Sequence, residues 1–296
     1  MINIFFWNTG LNYLNKNRDN ELFQKKYQLI NDILVDAVGQ YKIDILILAE
    51  YPLDLEPVCD KISLTGKDFK AAHVPADTRV KLLTDRKFTS ELIGDSRYFF
   101  ISRIDSPVMS SDFLLAGVHL SSQLHVSKTG IETEARQVMF DIREAERRGN
   151  TDRCMIIGDF NLSPFDNALT NCDSFNALPY ADIVLRKEKR RFYGKDYQMF
   201  YNPMWNFLGD YEGKQQTYFY DSSEPSNLYR YVFDQILISA PMLDLFVPSS
   251  VKVISEINGK TLIKNGNIPD KQKYSDHLPI MFSMREDYDE QLVENG

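Results

Sequence analysis

The chain contains 296 residues, of which 43% are apolar and 26% charged, and its formal net charge is −8 at pH 7. This composition is typical of a globular protein with a large core, and the acidic balance excludes a uniformly basic nucleic-acid-binding surface but not a local basic patch. No apolar run approaches the roughly 18 residues of a membrane-spanning helix, and the N-terminus lacks the basic region of a signal peptide. The 3 cysteines show no metal-ligand spacing, which predicts reduced thiols and a cytoplasmic location.

The N-terminal part of the chain alternates strand, helix and strand. Residues 2–7 form an apolar run that predicts a buried strand ending at Asn8. Apolar positions at helical spacing predict a helix over residues 21–38, capped by Asp19 or Asn20 and ended by Gly39. Residues 43–49 predict a second buried strand, which ends at Glu50. This succession indicates a layered α/β fold.

The next part of the chain contains short strands and then a helix. Residues 79–83, 98–104 and 113–118 are strand-like, and their close spacing predicts antiparallel hairpins. The third of these runs ends at His119. A second helix is predicted over residues 132–148, with Gly149 and Asn150 to stop it.

A buried strand over residues 154–157 ends abruptly in Gly158-Asp159-Phe160-Asn161. A tight turn after a strand favours these residue types, so a purely structural turn is one interpretation. The other interpretation is a functional site. A carboxylate accepts a proton or holds a cation, and an amide donates to a phosphate oxygen.

The segment over residues 162–215 is the least regular. It contains a basic cluster with Arg190 and Arg191, and an aromatic-rich stretch with Asn202 and Trp205. Basic residues interleaved with aromatic rings suit phosphate contacts and base stacking, so these four residues are candidate substrate contacts. The alternatives are a solvated charged face and a packed turn with a core tryptophan.

The last part of the chain supplies further candidate site residues. Asp234 lies inside a strand-like run over residues 231–239, and Asp276 and His277 precede a final strand. Residues 285–296 form an acidic tail that is expected to fray. No linker or repeat interrupts residues 1–284, which predicts a single domain.

Polar residues recur where the predicted strands end or begin. In α/β sheets, catalytic and ligand-binding groups gather at strand ends. A rim with carboxylates, amides and histidines but no clustered cysteines suits Mg²⁺ or Mn²⁺ rather than zinc. Histidines beside a metal-bound phosphate donate protons or stabilise charge. The pattern therefore indicates metal-assisted hydrolysis of a phosphate ester.

Six short motifs carry a resemblance to a known family. They are, in chain order, Trp7-Asn8, Leu48-Ala49-Glu50, Gly117-Val118-His119-Leu120, Gly158-Asp159-Phe160-Asn161, Phe233-Asp234-Gln235-Ile236-Leu237 and Ser275-Asp276-His277-Leu278-Pro279. Together they resemble the successive motifs of the endonuclease/exonuclease/phosphatase superfamily. That superfamily includes pancreatic-type deoxyribonucleases, abasic-site endonucleases, neutral sphingomyelinases, inositol polyphosphate 5-phosphatases and deadenylases. The resemblance covers residues 2 to 282, and the fourth and sixth motifs are its most specific part.

The resemblance implies a four-layered α/β sandwich, in which two packed, mostly antiparallel sheets are flanked by helices. It also implies a divalent metal site with Mg²⁺ or Mn²⁺. Glu50 would bind the metal, Asn8 would lie beside it, and Asp276 would be a second acid near it.

The resemblance also implies catalytic roles. Asp159 would align or deprotonate the attacking water, and Asn161 would hold the phosphate. His277 would contact the scissile phosphate and be oriented by Asp234. His119 would be a phosphate contact or the proton donor to the leaving oxygen.

Two positions depart from the family pattern. Many members have Asn-x-Asp in the first motif, where this chain has Asn8-Thr9-Gly10, and many have Arg where this chain has Val232. The sequence therefore predicts a phosphodiester hydrolase, with a nuclease as the first hypothesis and no obligate protein partner. A phosphatase or phosphodiesterase for a small or lipid phosphate ester is the alternative enzyme. An inactive phosphate- or nucleic-acid-binding module is the alternative outside catalysis.

Overall fold

The computed structural model describes residues 1–11, 20–51, 54–75, 77–210 and 216–287. In chain order its elements are β1 (Ile2–Asn8), α1 (Glu21–Tyr41), β2 (Ile45–Ala49), α2 (Glu56–Ser63), β3 (Phe69–Ala71), β4 (Val80–Asp85), β5 (Thr89–Asp95), β6 (Phe99–Asp105), β7 (Phe113–His119), α3 (Lys128–Gly149) and β8 (Cys154–Asp159). They continue with α4 (Asn167–Thr170), β9 (Ala177–Leu178), α5 (Ala181–Lys187), β10 (Lys189–Phe192), β11 (Lys195–Gln198), β12 (Phe200–Tyr201), β13 (Tyr218–Phe219), β14 (Arg230–Tyr231), β15 (Asp234–Ser239), β16 (Phe246–Val253), β17 (Glu256–Ile257), β18 (Lys260–Thr261), β19 (Ile263–Lys264), β20 (Ile268–Pro269) and β21 (Ile280–Met284), with short 3-10 helices at Pro203–Phe207 and Ala240–Met242.

Two large sheets form the centre of the molecule. One has the strand order β16-β21-β1-β2-β4-β3, and the other has the order β5-β6-β7-β8-β15-β12-β9. Most neighbouring strands are antiparallel, but three pairs run parallel, namely β1 with β2, β7 with β8, and β9 with β12. Their apolar inner faces pack together, with Phe6 and Ile47 from the first sheet and Leu115 and Ile157 from the second.

Helices cover the two outer faces. Ile30 and Leu34 of α1 pack with Trp7 on the outside of the first sheet. Val138 and Ile142 of α3 pack on the outside of the second sheet in the same way. The order helix, sheet, sheet, helix confirms the predicted four-layered sandwich. No helix among the described residues has the length and apolar character needed to cross a bilayer.

Several element boundaries differ from the predictions. Helix α1 is capped by Asn20, whose side chain accepts the Leu22 N–H at 2.8 Å, but it continues past Gly39 to Tyr41. Lys42 takes the left-handed conformation that ends it, with φ 53°. The prediction that Gly39 ends this helix is therefore wrong, because a glycine stops a helix only where the backbone leaves the helical conformation.

The position of Asp234 also differs from its prediction. The run over residues 231–239 is two strands, β14 and β15, and Asp234 is the first residue of β15 rather than an interior one. The hydroxyl of Thr217 accepts the N–H groups of Phe233 and Asp234 at 3.0 and 3.1 Å. This interruption separates the strands and places Asp234 at a sheet end.

Several further elements were not predicted, and strands β5, β10 and β11 are among them. Strand β5 carries mostly half-exposed residues without a clear apolar alternation, so it escaped detection. Strands β10 and β11 form a hairpin within the basic cluster. The start of the acidic tail is held in place, since Asp287 accepts hydrogen bonds from the Ser110 hydroxyl at 2.7 Å and from Arg153 at 3.3 Å. Residues 288–296 lie outside the described residues.

Candidate active site

Strand direction brings the predicted site residues to one rim of the sandwich. Because β7 and β8 are parallel, their last residues, His119 and Asp159, are neighbours. Strand β15 runs antiparallel to β8 and begins at this rim, so Asp234 lies opposite Asp159. The first sheet contributes Asn8, whose amide Nδ2 donates to Asp159 Oδ2 at 2.9 Å. That bond joins the two sheets at the rim.

Gly158 is required by a close approach between the two parallel strands. A Cβ atom at this position would lie 1.9 Å from the carbonyl oxygen of Val118. Only glycine therefore lets β8 lie against β7 at this point. The contact sets the spacing between His119 and Asp159, which are the next residues of the two strands.

His277 is held firmly by Asp234. Its Nδ1 lies 3.1 and 2.9 Å from the two carboxylate oxygens of Asp234, and both side chains are buried. Burial alone would lower the pKa of His277, but Asp234, Asp159 and Asp276 raise it to about 10. The imidazole is therefore a cation at neutral pH, and its Nε2 faces Asp159 Oδ2 at 3.6 Å.

Backbone contacts fix the loop that carries His277. The indole Nε1 of Trp7 donates to the His277 carbonyl at 2.9 Å. The Ser275 hydroxyl accepts the His277 N–H at 3.1 Å and donates to the Asn8 carbonyl at 2.7 Å. These bonds tie the loop to the end of β1, so the His277 ring has a defined direction.

Asp159 is a buried carboxylate surrounded by donors. Burial raises its pKa, Asp234 adds to the rise, and the positive charge of His277 opposes it. The Asn161 N–H donates to its Oδ1 at 2.8 Å. Asn161 itself has φ 50°, and its amide donates to the Leu120 carbonyl at 2.9 Å. The turn interpretation is thus correct for the backbone, and the turn itself holds the Asp159 carboxylate through the Asn161 N–H.

His119 differs from His277 in its charge. Burial lowers the pKa of His119 to about 4, and the nearby charge of Arg79 adds to the effect. Its Nε2 lies 3.6 Å from Glu50 Oε1 and 3.7 Å from Asp159 Oδ2. Its Nδ1 is buried and makes no hydrogen bond within the described part of the chain. A neutral imidazole donates one hydrogen bond but holds no spare proton at neutral pH.

Glu50 has the features of a metal ligand. Its backbone is in the left-handed region with φ 52°, which is uncommon for a residue other than glycine. Burial raises the pKa of Glu50, and the charges of Asp159 and Asp276 raise it further against the opposing charge of His277. A divalent cation beside Glu50 and Asn8 would relieve this repulsion, and the oxygen donors suit Mg²⁺ or Mn²⁺. The residues present therefore fit the metal that the fold family implies.

A second group of possible metal ligands lies next to Glu50. One ligand atom from each of Asp159, Asp234 and His277 falls within 4.8 Å of the others. Both Asp234 oxygens already contact His277, whose protonated ring offers no lone pair to a metal. This trio is therefore better suited to orienting an imidazolium than to coordinating an ion.

The four candidate substrate contacts do not lie together at the rim. The Asn202 side chain is fully buried, with its Nδ2 donating to Gln235 Oε1 at 2.6 Å and its Oδ1 accepting the Met204 N–H at 2.9 Å. The Oδ1 of Asn202 thus caps the helix Pro203–Phe207, and its Nδ2 is bound to Gln235, so a substrate role is not supported. The predicted packed turn is present, although the Trp205 ring is half-buried against the exposed Phe165.

Arg190 and Arg191 lie in the hairpin formed by β10 and β11. The base of this hairpin is at the end of β8 remote from Asp159, because Gln198 donates to the Asp152 carbonyl at 2.8 Å. Strand β8 has six residues, so the base is separated from the rim by roughly 17 Å. Arg190 and Arg191 therefore lie away from the rim that carries Asp159.

The sequence analysis missed two features of the rim. Arg79 immediately precedes β4, the strand next to β2, and its carbonyl accepts the Glu50 N–H at 3.1 Å. Its guanidinium lies 5.3 Å from the centre of the Tyr98 ring. The rule that polar residues at strand ends gather at one rim applies to Arg79 as well. It was missed because Arg79 belongs to no motif.

The second missed feature is an aromatic cavity beside Asn161, with a volume of about 180 Å³. Tyr218 and Phe233 stack in its wall with ring centres 5.3 Å apart, and the Tyr218 ring lies 4.7 Å from the His277 ring. Tyr220 and Tyr231 line it further. Aromatic residues at alternate positions, 218 and 220 and then 229, 231 and 233, were the sequence signal.

Comparisons with known proteins identify the fold. No protein-family model matches the chain, and no curated protein matches its sequence. Among solved structures, TDP2 of D. rerio, in complex with a single-stranded DNA product, is 19% identical with a TM-score of 0.58, covering 96% of this chain and 98% of that one. The endonuclease domain of TRAS1, a telomere-specific non-LTR retrotransposon, is 13% identical with a TM-score of 0.51, covering 97% and 100%. A mannosyl-6-phosphatase of Bacteroides thetaiotaomicron is 14% identical with a TM-score of 0.54, covering 96% and 99%.

These similarities extend over nearly the whole chain. They confirm the fold that the resemblance carried by the six motifs implied. At these identities the comparison establishes the fold, and the activity has to be argued from the site.

Proposed function

We propose that this chain is a divalent-metal-dependent phosphodiester hydrolase that acts on nucleic acid. The observation that carries the proposal is the position of the buried Asp159 carboxylate, 2.9 Å from the Asn8 amide, 3.6 Å from the His277 imidazolium and 3.7 Å from His119. A water at this place would meet a proton acceptor and a phosphate would meet a cation, which is what hydrolysis of a phosphodiester requires.

In this proposal Asp159 orients the attacking water and accepts its proton. The imidazolium of His277, kept protonated by Asp234, stabilises the negative charge that develops on the phosphate oxygens. Asn161 donates its amide to the phosphate. His119, being neutral, acts as a hydrogen-bond donor to the phosphate rather than as the source of a proton. This assignment selects one of the two roles that the sequence left open for His119. The P–O bond to the leaving oxygen breaks as the bond to the attacking water forms, and the leaving oxygen takes its proton from solvent water.

Glu50 would hold Mg²⁺ or Mn²⁺, with Asn8 beside it and Asp276 as a nearby acid. When bound, such an ion neutralises phosphate charge and polarises the P–O bond. Arg79 adds a positive charge on the same side of the rim as Glu50 and His119. We assign it to binding a phosphate oxygen of the substrate.

The aromatic cavity favours a substrate with a flat ring next to the scissile phosphate. Its wall contains the stacked rings of Tyr218 and Phe233. Nucleobases stack on aromatic side chains with any sequence. The DNA complex of the structurally similar TDP2 agrees with a nucleic-acid substrate. A phosphorylated sugar, as for the similar mannosyl-6-phosphatase, lacks a planar ring to stack there.

A substrate panel tests the proposal. Single-stranded DNA, single-stranded RNA, dinucleotides, inositol phosphates, sugar phosphates and sphingomyelin are assayed with Mg²⁺, Mn²⁺ or EDTA, and Asp159→Asn serves as the inactive control. Turnover of the nucleotide substrates that stops in EDTA is expected. Turnover confined to the sugar, inositol or lipid phosphates would contradict the nuclease and support a phosphatase or phosphodiesterase for a small or lipid phosphate ester. Absence of metal-dependent turnover on all of them would favour a binding module.

A further inference from the structure

The hairpin at the far end of β8 has no role in the proposed chemistry. Residues 186–197, named the basic hairpin below, comprise the end of α5, strand β10, a turn at Tyr193-Gly194 and most of strand β11. This segment contains six basic side chains and two acidic ones, within a chain of net charge −8. This segment therefore has a local excess of positive charge on a protein that is acidic as a whole.

The side chains at the tip of the basic hairpin face solvent. The Tyr193 residue is 90% exposed and Phe192 is 49% exposed, with their ring centres 4.4 Å apart. The Arg191 side chain is 74% exposed, and its carboxylate neighbour Asp196 lies at 4.0 Å, the limit of an ion pair. Large exposed aromatic rings beside unneutralised cations are uncommon on a surface without a ligand.

The base of the basic hairpin is ordered by the body of the protein. Gln198 is anchored to Asp152, Arg190 donates to the Thr170 carbonyl at 3.5 Å, and Tyr197 lies under the Arg143 guanidinium at 5.0 Å. The turn has positive φ at both Tyr193 and Gly194, 45° and 76°. This is the twist that keeps a two-residue hairpin compact. The rings and charges are thus presented on a fixed support.

We propose that the basic hairpin is a second binding surface for single-stranded nucleic acid, separate from the cleavage rim. Cationic side chains that contact phosphates, together with aromatic faces that accept bases, are what sequence-independent binding of a single strand requires. This proposal rests on the proposed function, because the same strand would be anchored here while a distant phosphate is cut. The surface is too far from Asp159 to touch a dinucleotide bound at the rim.

Two variants separate the charge and the rings of the basic hairpin. Arg191→Glu with Lys195→Glu reverses two exposed charges and leaves the anchored Arg190 in place. Tyr193→Asn removes the exposed ring and creates Asn-Gly, the pair that this turn type favours, so the hairpin keeps its shape. The matched control is Lys25→Glu with Lys61→Glu, because these two substitutions change the net charge by the same amount. Both lysines belong to the helices that cover the outer face of the other sheet.

Binding is measured in EDTA by fluorescence anisotropy with a labelled single strand of about 20 nucleotides, longer than a typical single-strand site. The charge variant should weaken affinity at least tenfold at about 50 mM salt and reduce the slope of log affinity against log salt by about 1.4. Tyr193→Asn should weaken affinity roughly fivefold or more. The control pair and the cleavage of a dinucleotide should stay within twofold of wild type.

The outcomes distinguish the two proposals. Hairpin variants that bind the long strand like wild type would overturn this inference, whether or not the enzyme cleaves it. Hairpin-dependent binding without any nucleic-acid cleavage would support the inference and count against the proposed hydrolase. Tyr193-dependent binding to vesicles containing phosphatidylserine, with no effect on the oligonucleotide, would overturn the inference in favour of a membrane surface.

Discussion

One acidic residue flanks each end of strand β2, and the surroundings shift the pKa values of the two carboxyl groups in opposite directions. Asp44 precedes the strand, and its carboxylate contacts the ammonium groups of Lys67 and Lys87 at 2.9 and 2.8 Å. Burial alone would raise its pKa, but Lys87, the Asn3 N–H and Lys67 hold that pKa below its usual range. Glu50 follows the strand and faces other acids, so its pKa is raised.

The difference shows how a structural acid and a functional acid are distinguished. The ammonium groups of Lys67 and Lys87 neutralise the Asp44 carboxylate. At the rim, the negative charges near Glu50 and Asp159 are not fully balanced by neighbouring cations. An arrangement that costs stability persists where it serves binding or catalysis. The comparison predicts that mutations at the two ends of β2 have effects of opposite kind.

The largest expected effect is on catalysis. Asp159→Asn and His277→Ala should each lower turnover by at least ~10²-fold, since one removes the proton acceptor and the other the cation that stabilises the phosphate. The measurement is the initial rate on the best nucleotide substrate with Mg²⁺. Asp44→Asn is the control and should leave the rate per folded molecule unchanged. A wild-type rate for either rim variant would remove the role assigned to that residue.

The next effect is on stability at the other end of β2. Asp44→Asn leaves two lysines without their shared partner and should lower the free energy of unfolding by about 2 kcal/mol, measured by urea denaturation at pH 7. Because the folded pKa of Asp44 is lowered, this contribution is present above the ordinary carboxyl pKa and is lost as pH falls through the folded value. The difference between variant and wild type should therefore shrink in acid.

The control for that experiment is Asp68→Asn. Asp68 pairs with Arg86 at 2.7 Å, but both side chains are more than half exposed. Water screens such a pair, so the denaturation midpoint should not move. An equal loss in both variants would show that burial of Asp44 is not the cause.

A third prediction concerns the charge of His277. Replacing Asp234 with Asn should lower the pKa of His277 by about one unit or more, because the neighbouring carboxylate is a main cause of its rise. NMR of the imidazole resonances against pH would measure it. In the wild type, the raised pKa gives a stability contribution that is complete below pH 6.5 and lost as pH rises towards about 10. If the pKa of His277 did not change, Asp159 and Asp276 rather than Asp234 would be the residues that keep the imidazole protonated.

The smallest expected effect has the opposite sign to that of Asp44→Asn. In EDTA, Glu50→Gln should raise the free energy of unfolding by up to about 1 kcal/mol, because it relieves the repulsion among Glu50, Asp159 and Asp276. Added Mg²⁺ should then stabilise the wild type but not the variant. Thermal unfolding with and without metal provides the measurement. Destabilisation of the variant in EDTA would mean that Glu50 is a structural acid like Asp44.

Much of the fold followed from local patterns. The apolar runs ending at Asn8, Glu50, His119 and Asp159 are buried strands, and the strand-end rule placed these four residues at one rim. Buried strands are well encoded because both of their faces are apolar. Strand β5 was not found, since its partly exposed residues carry no such signal.

The geometry of the site depended on contacts between residues distant in the chain. The Thr217 hydroxyl accepts the N–H groups of residues 233 and 234, and these bonds make Asp234 the start of a strand instead of an interior residue. The sequence near Asp234 contains no pattern that predicts these bonds. Arg79 reaches the rim through pairing with β2. The sequence around Asn202 does not show how its amide is bound. In the folded protein its Nδ2 donates to Gln235 and its Oδ1 accepts the Met204 N–H, both through tertiary packing.

The contact between Gly158 and the Val118 carbonyl limits how this site could be transplanted. Copying the catalytic side chains onto another sandwich would not reproduce the distance between His119 and Asp159 unless the backbones of the two parallel strands approached equally closely. A designer would therefore have to specify a bare α-carbon as strictly as any of the functional groups, although it takes no part in the chemistry.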